Sequence, residues 1–245
     1  AIGTDTLFLN TSGSSNVAIG PSTLRDNTSG KQNVGIGNVA LYENITGSDN
    51  IAIGHNAMRF NTVGDSNIGI GTKALYSNTT GQYNAALGYQ TLFSNTTGKQ
   101  NVAIGFESLY SNTIGLQNVS VGYKNLRANT TGSENTALGV FALDAVTTSS
   151  NSTAIGYNAA TANTSTAITA VGHQCLRSNT TGNGNNALGK NALFTNTTGQ
   201  YNIAIGYDSL QQNNADNNVA VGHDALKVNT TGTRNIAVGA NALDA

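Results

Sequence analysis

The chain has 245 residues, yet only 9% are charged, and Asn (36), Thr (32) and Gly (29) dominate it. A formal net charge of −1 excludes the basic field that nucleic-acid binding draws on, and no stretch approaches the roughly 20 apolar residues of a membrane helix. A single Cys excludes an intrachain disulfide framework and a paired-cysteine zinc site.

An internal repeat organises the chain. Ala-Ile-Gly or a close variant ends at Gly3, Gly20, Gly37, Gly54, Gly71, Gly88, Gly105, Gly122, Gly139 and Gly156, always 17 residues apart. It continues at Gly172, Gly189, Gly206, Gly222 and Gly239, in steps of 16, 17, 17, 16 and 17. The unit reads N-x-A-I-G-x-x-A-L-x-x-N-T-T-G-x-x, and some 14 copies fill residues 1–245 as one array with no linker. Strict phase excludes a disordered low-complexity tract. Helical repeats need longer units and better helix formers than Asn, Thr and Gly. The period therefore predicts an all-β fold, a parallel β-solenoid with one coil per unit. Coils at the usual strand spacing of about 4.8 Å would make a rod roughly 65–70 Å long.

Within one unit, the first element is an Asn column: Asn16, Asn33, Asn50, Asn67, Asn84, Asn101 and so on. A strand follows, with β-branched residues three places and one place before the Gly, as in Ile51 and Ile53 or Val102 and Ile104. Alternation puts these two columns on one face, predicted to point into the coil. The residue between them is always small: Ala52, Gly69, Ala86 and Ala103 are examples. Alternation turns this side chain outward, so something packs closely on it, most simply identical chains around a threefold axis; a tight bend with no room for a larger side chain is the alternative. The place after the Gly forms an edge with Tyr89, Phe106 and Tyr123, a candidate surface-contact column. Four places after the Gly runs a third core column with Leu75, Leu92 and Leu109. The next place alternates aromatics (Phe8, Tyr42, Tyr76, Phe93) with Arg25, Arg59, Arg127 and Arg177, which suits an edge covered by cation–π stacking. The unit closes on an Asn-Thr-Thr-Gly turn, whose Asn78, Asn95 and Asn112 can bond one another coil to coil.

Chemistry-bearing patterns are sparse. No position holds Asp or Glu in most units, against a calcium repeat. His55, His173 and His223 share the edge after the Gly, but coil spacing keeps one chain from joining them at a metal. Cys175 takes the small place filled elsewhere by Ala57, Ala74 and Ala142 and reads as a packed thiol. No Ser or Cys sits in a catalytic setting, so the chain reads as neither an enzyme nor a cofactor protein. Turns such as Asn78-Thr79-Thr80 match a glycosylation acceptor, yet a structural turn predicts the same residues. Stacked Thr suggests ice binding, but adjacent Thr79 and Thr80 cannot join one face, and Val63, Ile114 and Ala215 take the second place. Regularity lapses around 144–172, where Val146, Ser149, Ala160 and Ile168 replace column residues, and each 16-residue step loses one turn residue. The chain begins at Ala1-Ile2-Gly3 and stops at Ala242-Leu243-Asp244-Ala245, both in mid-unit, which reads as a segment of a longer fibre.

The N-x-A-I-G segment resembles the β-roll heads of trimeric autotransporter adhesins. The longer unit, as in Ala74-Leu75-Tyr76-Ser77-Asn78-Thr79-Thr80-Gly81, resembles repeats of phage and viral tail-fibre-type proteins. That resemblance implies a homotrimeric shaft of an extracellular, cell-surface or virion attachment fibre. Such a shaft presents a distal tip to a host receptor or glycan and adds weak multivalent contacts of its own. Alternative readings are an ice-binding solenoid and a self-assembling surface filament.

Overall fold

The computed structural model describes residues 1–244; Ala245, the last residue of the array read from the sequence, lies outside the described residues. The protein is a parallel β-solenoid with no helix among those residues. It forms two compact units, Ala1–Val121 and Gly122 to the C-terminus. The first contains β1 (Val17–Ile19), β2 (Val34–Ile36), β3 (Ile51–Ile53), β4 (Ile68–Ile70), β5 (Ala85–Leu87), β6 (Val102–Ile104) and β7 (Val119–Val121). The second contains β8 (Thr136–Leu138), β9 (Thr153–Ile155), β10 (Thr169–Val171), β11 (Asn186–Leu188), β12 (Ile203–Ile205), β13 (Val219–Val221) and β14 (Ile236–Val238). Within each unit every strand pairs in parallel with the next, in the register of the repeat: Ile51 lies beside Ile68, Ala52 beside Gly69, Ile53 beside Ile70.

Three-residue strands hold because pairing continues around the coil. Lys73 N–H donates to His55 of the preceding coil at 3.0 Å, and Leu75 and Ser77 N–H donate to Thr91 and Phe93 of the following coil at 3.0 Å. Reaching both neighbours from consecutive residues takes alternating backbone. Lys73 (φ 58°) and Leu75 (φ 50°) are left-handed, as are their counterparts throughout both units. Left-handed conformation costs a non-glycine residue about 1–2 kcal/mol, so the inter-coil bonds and Leu burial must hold it in place. Glycine is required where the next coil approaches. A Cβ on Gly54 (φ +135°) would lie 2.7 Å from Gly71 O, and one on the turn residue Gly47 would lie 2.6 Å from Gly64 O.

The faces of the strands are the reverse of the sequence expectation. Ala52, Ala86 and Ala103 are fully buried inside the coil and Gly69 is buried with them, whereas Ile53 is half-buried and Ile104 is 38% exposed. The physical reason is the thinness of the interior. The strand centre faces the Leu column directly, and only a methyl fits between them. Two glycines prove the fit: a Cβ on Gly69 would meet Met58 Cγ at 2.8 Å, and one on Gly35 would meet Thr23 Cγ2 at 2.6 Å. Where Ser120 replaces Ala, Ser108 opposite it donates to its hydroxyl at 2.7 Å. Leu75, Leu92 and Leu109 are wholly buried, so this one apolar column supplies the largest core side chains, joined only by Ile168 among the described residues.

Candidate functional surface

Turning the small residues inward leaves Val, Ile and Leu on the outer face of every strand. In the first unit both columns are apolar over all seven strands: Val17, Val34, Ile51, Ile68, Ala85, Val102 and Val119 form one, and Ile19, Ile36, Ile53, Ile70, Leu87, Ile104 and Val121 the other. In the second unit the last column stays apolar, from Leu138 to Val238, but the first is polar in Thr136, Thr153, Thr169 and Asn186 before returning to Ile203, Val219 and Ile236. No charged side chain lies in either column of either unit. A contiguous apolar strip of this kind marks an interaction surface. With Ala52, Gly69, Ala86 and Ala103 filling the coil's own interior, the premise that placed an interface over them is gone.

The two Asn columns form hydrogen-bonded ladders. Asn78 Nδ2 donates to Asn61 Oδ1 at 2.7 Å and to Gly81 O at 3.1 Å, while its Oδ1 accepts from Asn95 Nδ2 at 2.8 Å; Asn112 donates in turn to Asn95 at 2.9 Å. In the other column Asn67 uses its whole capacity. Its Oδ1 accepts from the N–H and Nδ2 of Asn84 at 3.0 and 3.1 Å, and its Nδ2 donates to Asn50 Oδ1 at 3.2 Å and to Gly81 O at 2.8 Å. Asn50 bonds Asn33 in the same way. Gly81 O thus accepts from both ladders and ties them together. Buried amides so completely paired are structural.

The turn threonines are committed as well, a feature that the repeat pattern alone does not announce. Thr62, Thr79 and Thr96 each donate their hydroxyl to a carbonyl one coil on, at 3.1, 3.0 and 3.1 Å. The second turn place is open at Val63, 42% exposed, and Ile114, 51% exposed, but Ala215 in a shortened turn is buried. The signal that could have revealed the hydroxyl column is a constant residue type at a place where solvent would allow any.

Both aromatic edges are stacks. Tyr76, Phe93 and Tyr110 lie 5.0 and 5.1 Å apart within 3° of parallel, and Arg25 sits over Phe8 and Tyr42 at 5.6 and 5.4 Å. Tyr89 and Phe106 stack at 5.2 Å, and Tyr123 meets Phe141 edge-on at 5.5 Å. Stacking occupies ring faces, which a sugar ring would need, and leaves edges to solvent. Tyr157 and Tyr207 are likewise covered by His173 and His223 at 5.3 and 5.2 Å. No group of three His, Cys, Asp or Glu able to hold a metal occurs among the described residues. Cys175 is buried, its Sγ set 3.2 Å from Ala187 O, and burial pushes its thiol up to about 12, against a role as nucleophile. An ionic cluster lies on the second unit's surface, where Lys227 Nζ is 3.1 Å from Asp224 and 3.2 Å from Asp208; those hydrogen bonds raise its pKa.

No protein-family model matches the chain, and no curated protein is significantly similar to it. No described helix is long and apolar enough to cross a membrane.

Proposed function

We propose that the protein is the structural shaft of an extracellular or virion attachment fibre, built as a homotrimer whose chains meet through their outward strand faces. It performs no catalysis and takes no cofactor; its work is to hold a tip at a distance and to add weak contacts along its length. One observation carries this reading: the ladder amides and most turn threonines are spent on stacking, and the outward strand faces are an uncharged, largely aliphatic strip repeated coil after coil. Burying aliphatic surface yields about 25 cal/mol per Å², so a face of this composition favours association over exposure to water. It replaces the small-residue column as the place where chains meet.

Analytical ultracentrifugation or native mass measurement tests this directly. The wild-type segment should sediment as a trimer of 25.1 kDa chains. Ile53→Glu with Ile70→Glu should give a folded monomer, since both side chains already face outward. A stable wild-type monomer would refute the trimer. If that monomer also shows thermal hysteresis, the ice-binding alternative takes its place, and if it joins end to end into long filaments, the self-assembling filament does.

A further inference from the structure

The groove beside the second shortened turn has the chemistry of a binding site. The coil ending at Gly222 is one residue short, and the loss falls in its turn: Asn213 caps Ala215 O, two residues on, at 2.8 Å, where Asn196 caps Gly199 O, three residues on. The gap this leaves is a groove of about 520 Å³ between successive turns, lined by Thr198, Gln200, Asn214, Asp216, Thr231 and Thr233 among others. That volume is in the range of small-ligand sites, which run to roughly 300–1,000 Å³.

The lining is held on one side and unspent on the other. Asn214 Oδ1 accepts the N–H groups of Thr197 and Thr198 at 3.0 and 2.9 Å, and Asp216 Oδ1 accepts Gln200 N–H at 2.8 Å. Asn214, Asp216, Thr231 and Thr233 are exposed, and Asn214 Nδ2, Asp216 Oδ2 and the two threonine hydroxyls face solvent with no hydrogen bond to another described residue. The other shortened turn, in the coil ending at Gly172, is closed. There Ser165 Oγ donates across the gap to Gly182 O at 2.8 Å and meets Asn163 Oδ1 at 2.8 Å. Ala215, at Ser165's place, has only a methyl and cannot do this.

We propose that this groove binds a neutral sugar through a vicinal diol, one hydroxyl donating to Asp216 Oδ2 and its neighbour accepting from Asn214 Nδ2 or a threonine hydroxyl. The groove has no lining Lys or Arg to hold an anion, one carboxylate where a calcium site needs several, and no apolar pocket for a peptide anchor. The site belongs to a single chain and does not depend on the trimer.

Saturation-transfer NMR with the methyl glycosides of mannose, galactose, glucose and N-acetylglucosamine tests it. Wild-type protein should show transfer to at least one of them. Asp216→Ala should weaken that binding about tenfold, as loss of a charge-assisted hydrogen bond does. A glycine inserted after Ala215, which restores the 17-residue unit, should abolish it, with circular dichroism unchanged in both variants. Absence of transfer to all four sugars overturns the proposal. So does binding that survives both changes, equal binding of sialic acid, or a response of the Gln200 amide to calcium alone.

Discussion

The two units are built from one repeat, yet only the first keeps its turn ladder whole. There, seven Asn side chains from Asn10 to Asn112 form an unbroken file, each donating to the one before. In the second unit Val146 takes one rung, and a second break lies between Asn196 and Asn213. At both breaks the coil below loses its next donor, for the Oδ1 atoms of Asn129 beneath Val146 and of Asn196 beneath Asn213 are alike buried without an amide above them. The two shortened turns differ in what they stand on. Asn163, in the first shortened turn, stands one coil above Val146, so no amide beneath it is left waiting for a donor. Asn213 stands one coil above Asn196, whose buried Oδ1 is left with no hydrogen-bond partner. A missing turn residue is harmless when the coil below is apolar at that place and leaves a buried acceptor unsatisfied when it is not.

That contrast gives the largest expected effect. Asn78→Ala removes three hydrogen bonds and strands Asn61 Oδ1 in a buried setting, so it should cost about 3–5 kcal/mol. Asn196→Ala removes only the bonds to Asn179 and Gly199, because its oxygen has none to lose, and should cost about 1–2 kcal/mol less. Urea unfolding of the two variants compares them directly, with amide exchange at the neighbouring turns to localise the damage. Equal losses would mean that the ladder carries no more stability where it is continuous.

Next in size is the core column. Leu92→Ala should cost about 3 kcal/mol, since in so thin an interior no neighbouring side chain is long enough to fill the void. The second unit already holds the counterpart, for Ala160 stands in the same column, fully buried. The Leu92→Ala loss should therefore exceed that of Leu143→Ala, whose next coil is already adapted to a small residue, by about 1 kcal/mol. Thermal unfolding of both variants measures this difference, and a larger loss at Leu143 would reverse the ranking of the units.

The period, the parallel stack and the Asn ladders were legible because each is a constraint on residue type that recurs in phase. Which way the strands face was not. A three-residue strand alternates in the same way whichever side is in, and the usual rule that Ile lies inside and Ala is indifferent fails when the interior is one methyl deep. The fold shows it through contacts 11 or 12 residues apart, Gly35 against Thr23, Gly69 against Met58 and Ser120 against Ser108, but Asn125 and Cys175 face an unchanged Ala137 and Ala187, so the pairing leaves no consistent trace in the sequence. The polar groove was illegible for a different reason. A missing residue marks where a gap opens, but only the folded turn tells a gap closed by Ser165 from one left open by Ala215.

The smallest expected effect concerns strain carried by the regular unit. Val39 occupies the left-handed place two residues after the repeat Gly, at φ 60°, a conformation that a β-branched side chain tolerates poorly. The second unit has no β-branched residue there; it uses Lys124, Phe141, Asn158, Gln174, Asn191, Asp208, Asp224 and Asn241, all left-handed, and the first unit elsewhere uses unbranched residues such as Asn56. Val39 is half-buried, and its N–H bond to Pro21 O at 3.0 Å would survive any side-chain change. Val39→Asn should therefore stabilise the first unit by about 1 kcal/mol, because the relief of strain outweighs the small apolar packing that the shorter side chain gives up. A raised unfolding midpoint with unchanged circular dichroism is the expected result. A lowered one would show that the Val39 side chain contributes more by packing than its backbone costs, and that the regular unit is less strained than its dihedral angles imply.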